Sequence, residues 1–194
     1  PRGVGSHPHR GIETVTIAYK GRVEHHDSSG GGGIIAEGDV QWMTSGSGIL
    51  HKEYHEKNFG KKGGEMQMVQ LWVNLPAKDK MTTPKYQNLN KNDLTKVELE
   101  NNVGSIDIIA GEFEKNKGPA STFSPLSLFN VHLNKGKGTS FSFDNNHNTC
   151  LLVIKVSITV NNIEKAPANH FVLFDNHGKE FTVKADDDPT ILIL

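Results

Sequence analysis

Polar and apolar side chains alternate along much of the chain, with the period of two that is typical of β-strands. The run Glu13–Tyr19 alternates and is rich in β-branched residues, and Arg22–Asp27 follows it after a turn at Lys20–Gly21. The same pattern predicts further strands at 40–43, 66–75, 104–111, 127–133, 139–143, 150–160, 170–174 and 181–183. Helical periodicity is almost absent, and only Lys91–Leu99 predicts a turn or two of helix.

The segments between these strands are polar or rich in glycine. Ser28–Gly33 predicts a flexible loop, and residues 77–95 predict a polar connection. The 20 glycines are spread along the chain, as expected for many short strands joined by tight turns. We therefore expect an all-β protein.

The two halves of the chain resemble each other. Residues 36–43 and residues 167–174 have the same character, and each segment follows a strand and a polar turn. Two antiparallel barrels in tandem, at 1–88 and 89–194, would explain the repeat. The chain starts at Pro1 without an initiator methionine, and Ile191–Leu194 has the pattern of a strand interior. We therefore expect the start of the first barrel and the end of the second to be missing.

Charge and composition exclude some classes of function. The 21 basic and 22 acidic side chains give a net charge of −1, which does not predict direct binding of nucleic acid. No apolar run approaches the roughly 18 residues that span a bilayer, and no signal segment is visible. The single cysteine, Cys150, indicates a reducing compartment, so we expect a cytoplasmic protein.

Two pairs of polar residues carry the candidate chemistry, His7-Pro8-His9 and His51-Lys52-Glu53. Residues two apart on a strand point to the same face, so each pair can direct both side chains into one barrel. Three imidazoles and a carboxylate without a thiolate suit one divalent first-row metal, with up to two open positions in an octahedral shell. Fe, Mn, Co, Ni or Cu fit this ligand set, and Zn also fits.

The other histidines have no such partner in the sequence. We interpret His25-His26 and His55 as solvated loop or strand-end residues. The remaining four histidines lie in the second half, and we interpret them as structural or exposed: His132, His147, His170 and His177.

At this point the sequence resembles a known family. The runs His7–Val15 and Gly38–Glu53, together with Gln70–Ala77 and Lys80-Met81, resemble the pirin family of two-barrel proteins in the cupin superfamily. The resemblance is dense over residues 3–90, and beyond residue 95 it rests on the order of strands and turns. It implies two tandem cupin domains, the first binding metal and the second metal-free.

The resemblance also implies a ligand set. In the general cupin motif, His7, His9 and Glu13 match the first block, but seven residues rather than six separate Glu13 from Gly21. Spacing alone does not decide between Glu13 and Glu53 as the carboxylate ligand. In pirins this ligand lies two residues after the third histidine, which implies His7, His9, His51 and Glu53 here, with Fe(II) as the first choice of metal.

The second barrel lacks ligand residues where a metal-binding cupin would have them, at Val131–Leu133 and Ser140–Ser142. We expect its interior to be filled by apolar side chains, namely Phe141, Phe143, Leu152, Ile154 and Phe171.

Three functions are open, and the first two follow from the resemblance. The first is a quercetin 2,3-dioxygenase-like enzyme that opens a flavonol with O₂ and releases carbon monoxide, with Glu53 as the general base. The second is a metal-dependent transcriptional coregulator, in which the ion shapes a surface for a protein partner. The third is an enzyme that acts on another aromatic or enol substrate, with quercetin turnover only incidental. We favour the enzyme, because the open metal positions are retained and no interaction segment is visible.

Overall fold

The computed structural model describes residues 2–194, and nearly all of its regular structure is β-strand. Backbone contacts divide the chain into two compact units. The N-terminal unit comprises the residues up to Leu94 together with Ala120–Pro125, and the C-terminal unit comprises Thr95–Pro119 and Leu126–Leu194. The predicted boundary between residues 88 and 89 lies a few residues before this division. The independence of the two halves as domains stays a prediction.

The N-terminal unit is built from two four-stranded antiparallel sheets. Its strands are β1 (Gly3–His9), β2 (Ile12–Lys20), β3 (Val23–Asp27), β4 (Gly32–Ile35), β5 (Val40–Thr44), β6 (Ile49–His55), β7 (Gln67–Asn74) and β8 (Lys85–Leu89). One sheet has the order β1-β6-β3-β4 and the other β7-β2-β5-β8. The helix α1 (Lys57–Lys62) follows β6, and Glu56 caps it by accepting from the Asn58 and Phe59 backbone N–H groups.

The C-terminal unit contains a larger sheet. Its strands are β9 (Thr95–Leu99), β10 (Gly104–Ala110), β11 (Glu112–Phe113), β12 (Asn116–Lys117), β13 (Leu128–Leu133), β14 (Gly138–Ser142), β15 (Cys150–Lys155), β16 (Ile158–Val160), β17 (Glu164–Ala166), β18 (Phe171–Leu173), β19 (Glu180–Ala185) and β20 (Thr190–Ile193). The sheets have the orders β18-β15-β20-β13-β10-β9 and β14-β19-β16-β17, and β11 pairs with β12.

The two units repeat one topology. Adding thirteen to each strand number converts the order β1-β6-β3-β4 into β14-β19-β16-β17, and β7-β2-β5 into β20-β15-β18. The similar segments 36–43 and 167–174 therefore lead into the equivalent strands β5 and β18. The repeat inferred from sequence corresponds to a repeat of architecture, and the predicted all-β fold of two cupin barrels is confirmed.

Packing of the C-terminal unit confirms part of its predicted interior. Phe141 is buried in the apolar core, and Phe143 packs against that core. Leu152 and Ile154 lie on the other face of β15, because the alternate residues Leu151 and Val153 are the ones in that core. The prediction for Phe171 is wrong, because its side chain is 59% exposed. The strand β18 is an edge strand, and alternation along it turns Val172 inward and its two neighbours outward.

Three local predictions are wrong. Part of the predicted helix at Lys91–Leu99 is the strand β9, which pairs with β10, so pairing with a neighbour outweighs a weak helical pattern. The predicted polar connection contains β8, whose residues cover the edge of β5. The predicted strand at 150–160 is interrupted at Val156, whose φ is 65°.

No helix among residues 2–194 is long and apolar enough to cross a bilayer.

Candidate metal centre

Pairing of β1 with β6 brings three of the four predicted ligands together. His7 lies directly opposite His51 in the antiparallel register, so the two side chains share a face. His9 lies two residues after His7 on the same strand and faces the same way. A shift of register between Val4 and His7 bends β1 just before the two histidines.

The three imidazoles converge on one point. His7 Nε2 lies 3.1 Å from His9 Nε2 and 2.9 Å from His51 Nε2. The three ring centroids are 4.3–4.9 Å apart. His9 and His51 are buried and His7 is half-buried, so the cluster lies just inside the surface of the barrel.

These separations fit a metal ion. Metal–nitrogen bonds of about 2.1 Å place cis nitrogens of an octahedral shell about 3.0 Å apart and nitrogens of a tetrahedral shell about 3.4 Å apart. The observed values of 2.9 and 3.1 Å match the octahedral arrangement. The donor set therefore suits a six-coordinate first-row ion with positions left for other ligands.

Glu53, the fourth predicted ligand, lies two residues after His51 on β6 and outside the group of three imidazoles. Its carboxylate accepts from Gln70 Nε2 at 2.9 Å and from Thr16 Oγ1 at 3.4 Å. Glu53 belongs to a second group of potential ligands, with His25 and His51, whose donor atoms lie within 4.8 Å of one another. Burial alone would raise the pKa of Glu53, but the neighbouring His25, Gln70 and His51 together lower it.

The interpretation of His25 as a solvated residue is wrong. His25 is fully buried, lies opposite Glu53 in the pairing of β3 with β6, and contacts His51. The signal that could have found it is alternation, because Val23 and His25 share one face of β3 while Glu24 and His26 share the other. For His26 the prediction is confirmed, since half of its side chain is exposed, and His55 is the strand-end residue of β6.

Glu13 lies outside both ligand groups. Its Oε1 accepts a hydrogen bond from Thr44 Oγ1 at 2.7 Å, and its side chain is buried. Burial raises the pKa of Glu13 above its ordinary value, against the opposing effect of that hydrogen bond.

The environment favours the neutral form of two of the three clustered imidazoles, His51 and His9. Burial, with smaller effects of the neighbouring imidazoles, lowers the pKa of His51 to about 4, against the opposing effect of Glu53. Burial and His7 lower the pKa of His9 in the same way. Neutral imidazole is the form that binds metal, so the cluster is ready to bind near neutral pH.

One aromatic ring stands beside the cluster. Trp72 on β7 contacts His9 edge-on, with ring centroids 5.2 Å apart, yet 67% of the residue is exposed. An exposed indole next to buried imidazoles offers a flat apolar surface for an aromatic compound.

The equivalent positions in the C-terminal unit hold apolar residues. Phe141 lies opposite Phe181 as His7 lies opposite His51, and Val160 lies opposite Val183 as His25 lies opposite Glu53. The rings of Phe141 and Phe181 stack with centroids 5.6 Å apart. Both groups of potential metal ligands found among residues 2–194 lie in the N-terminal unit.

The fold and the site together define a two-barrel cupin with a candidate metal centre in its first barrel. Comparison with known proteins gives the family. The pirin family profile matches residues 1–73. A Pseudomonas aeruginosa protein named "putative quercetin 2,3-dioxygenase" is 46% identical over 193 residues, which is all of this chain and 67% of that protein. The chain belongs to the pirin family.

Solved structures with a similar fold agree with this assignment to the family. A crystal structure of quercetin 2,3-dioxygenase from Acinetobacter baumannii superposes with a TM-score of 0.93 at 45% identity, covering 98% of this chain and 66% of that one. The bacterial pirin YhhW from Escherichia coli, in complex with nickel(II), has a TM-score of 0.77 at 22% identity, covering 98% of this chain and 75% of that one, and shows a shared fold. The chain thus spans about two-thirds of the length of the first two relatives.

Proposed function

We propose that this chain binds one divalent transition metal ion through His7, His9, His51 and Glu53 and uses it to open flavonols with O₂. The observation that carries the proposal is the convergence of three imidazoles, with the Nε2 atoms of His9 and His51 at 3.1 and 2.9 Å from that of His7, and an ionised carboxylate two residues after His51. The names of the Pseudomonas and Acinetobacter relatives support quercetin or a similar flavonol as the substrate.

The metal would supply a Lewis acid that lowers the pKa of the flavonol 3-hydroxyl. Ligands of nitrogen and oxygen without thiolate suit Fe(II), Mn, Co, Ni and Cu, and Zn also fits, and the resemblance to pirins makes Fe(II) the first metal to test.

Glu53 is the group that accepts the proton of the 3-hydroxyl. Because its pKa is lowered, it is ionised near neutral pH and ready to act as a base. Gln70 and Thr16 donate to its two oxygens and hold the carboxylate beside His51. Proton removal makes the flavonol electron-rich enough to react with O₂, and the reaction opens the heterocyclic ring and releases carbon monoxide.

The barrel and Trp72 bind and shield the substrate. His9, His51 and Glu53 are buried, so a flavonol at the cluster excludes water from the reacting atoms. The exposed face of Trp72 lies beside His9, where the flat ring system of a flavonol would stack.

The test is reconstitution without oxygen. Metal-free protein is loaded with Fe(II), and in parallel with Mn, Co, Ni, Cu or Zn, then mixed with quercetin before O₂ is admitted. We expect loss of the flavonol absorbance band and release of carbon monoxide in the wild type and in His26→Ala, a control at an exposed histidine. With His51→Ala, the flavonol absorbance band should remain and no carbon monoxide should be released.

Failure of all six metals to support turnover would reject the enzyme. The remaining function would then be a metal-dependent regulator, and its test is a protein partner that binds the metal-loaded chain and not the metal-free one.

A further inference from the structure

A buried line of polar groups runs behind the candidate metal centre. His51 turns Nε2 toward His7 and turns its other ring nitrogen, Nδ1, toward His25 Nδ1 at 3.4 Å. The far nitrogen of His25, Nε2, lies 3.5 Å from Asp27 Oδ2. The side chains of His25 and Asp27 are both fully buried.

The two carboxylate oxygens of Asp27 have different surroundings. Oδ1 accepts from the Ser29 N–H at 2.8 Å, from Ser29 Oγ at 2.7 Å and from the Gly31 N–H at 2.9 Å, which shapes the loop after β3. Oδ2 is buried and, among residues 2–194, has no hydrogen-bond partner, while His25 Nε2 lies 3.5 Å from it. A buried carboxylate oxygen aimed at one imidazole indicates a role beyond the loop.

The directions of the protons follow from the metal. An imidazole that binds metal through Nε2 must carry its proton on Nδ1, so His51 Nδ1–H can donate only toward His25 Nδ1. His25 Nδ1 must then be the acceptor, which leaves its proton on Nε2, facing Asp27. Each nitrogen in the line has one consistent role.

The neighbours of His25 support this arrangement. Gln41 Nε2 lies 3.3 Å from His25 Nδ1 and 3.5 Å from His25 Nε2, so its shorter contact is with the nitrogen that accepts. Tyr86 stacks on the His25 ring with centroids 5.3 Å apart and fixes its plane. Glu53 Oε1 lies 3.8 Å from His25 Nδ1, which is beyond hydrogen-bond distance.

We infer that His25 and Asp27 are positioning residues for His51. They hold its ring orientation and its proton on Nδ1, so that Nε2 presents a lone pair to the metal. The inference rests on the proposed metal site, but it needs neither a flavonol nor O₂. Outer hydrogen-bond partners of metal-binding histidines typically change metal affinity by about 10–100-fold.

The same strand offers a matched control. Glu24 and His26 form a second carboxylate–imidazole pair at 2.8 Å on the exposed face of β3. Asp27→Asn removes one charge behind the metal site, and Glu24→Gln removes one charge on the outside. In Asp27→Asn, the amide oxygen of the new side chain should occupy the Oδ1 position, because three donors point at that position. The amide NH₂ group then occupies the Oδ2 position. A donor then faces the His25 N–H, and the line is broken while the loop contacts are kept.

The experiment measures Co(II) binding to metal-free protein by competition with a chelator, together with the visible spectrum of bound Co(II). We expect Asp27→Asn to bind Co(II) about 10–100-fold more weakly with an altered spectrum, and Glu24→Gln to match the wild type. Melting of the metal-free proteins should be similar, because the loop contacts of Oδ1 remain and, without metal, both imidazoles can change tautomer so that His25 Nε2 accepts from the amide. As a second variant, His25→Gln keeps a donor and an acceptor and should lose less affinity than His25→Leu.

Equal Co(II) affinity and an equal spectrum in Asp27→Asn and the wild type would overturn the inference and leave the metal site in place. Equal losses in His25→Gln and His25→Leu would also overturn it, since that pattern indicates a packing role. A wild type that binds no Co(II) would reject the proposed metal site itself.

Discussion

Six histidines lie in the N-terminal unit, and their surroundings separate them into three groups. The candidate ligands His7, His9 and His51 converge, and His25 lies behind them. His26 and His55 lie outside the cluster. Adjacent residues on one strand thus differ completely, since His25 is buried and half of the His26 side chain is exposed. At this scale, the face of the strand determines the chemistry of the side chain.

The choice between the two glutamates is a prediction at the residue scale. We expect Glu53→Gln to weaken metal binding and nearly abolish flavonol turnover, because glutamine keeps the shape but loses the charge and the ability to accept a proton. Glu13→Gln should retain the metal, because Glu13 contacts Thr44 and belongs to neither ligand group. Metal content after dialysis and turnover of quercetin measure both effects. Loss of metal from Glu13→Gln with retention in Glu53→Gln would reverse the assignment.

Trp72 gives a second residue-scale prediction. We expect Trp72→Ala to weaken flavonol binding about threefold to tenfold, since one aromatic contact contributes about 1 kcal/mol beyond its buried area. Metal affinity should not change, because Trp72 is not a candidate ligand and makes only a T-shaped ring contact with His9. Anaerobic titration of metal-loaded protein with quercetin measures the affinity. Trp72→Phe serves as the control and should keep most of it, and unchanged binding in Trp72→Ala would show that the substrate lies elsewhere.

At the scale of elements, one strained residue interrupts a run that the sequence predicts to be continuous. Val156 separates β15 from β16, and its φ of 65° lies in the left-handed region that β-branched residues avoid. The strain costs about 1–2 kcal/mol, and the fold tolerates it because the strands on either side belong to different sheets.

Val156→Asn should therefore stabilise the protein by up to about 1 kcal/mol, because asparagine accepts a positive φ and the side chain is only half-buried. Val103→Asn is the matched control. It changes another half-buried valine of the same unit, at a φ of −73°, and should destabilise the protein. Urea unfolding measures both free energies. Equal losses in the two variants would show that Val156 carries no strain.

At the scale of the whole molecule, the two units carry separate spectroscopic and chemical probes. Both tryptophans, Trp42 and Trp72, lie in the N-terminal unit, and the single cysteine, Cys150, lies in the C-terminal unit. Burial raises the pKa of the Cys150 thiol, so labelling should be slow until its unit unfolds.

These probes test whether metal stabilises one unit alone. At a free Co(II) concentration of a hundred times its Kd, the unit that binds the ion should gain about 2.7 kcal/mol. We therefore expect the urea midpoint from tryptophan fluorescence to rise and the midpoint from Cys150 labelling to stay unchanged. Cys150→Ser controls for labelling elsewhere. A labelling midpoint that rises together with fluorescence would show that the units unfold as one.

The sequence alone determined most of the strands, though not β8 and β9, and it determined the tandem repeat and the pairing of ligands within each strand. These features follow from a local rule, because side chains two apart on a strand share a face whatever the strand packs against. His7 with His9, and His51 with Glu53, could therefore be placed together before any fold was known. The resemblance to the pirin family then singled out Glu53 over Glu13.

Only the tertiary structure decided which face of each strand turns inward and which strands become neighbours. His25 was missed because alternation groups it with Val23 without saying that this face lies opposite Glu53. The strand β8 was missed because its polar residues form a strand only by pairing with β5. The paired residues Val40 and Leu89 are more than 40 positions apart in the sequence, so no local pattern indicates the pairing. Contacts between distant segments set burial, and burial made a histidine of ordinary appearance part of the candidate metal centre.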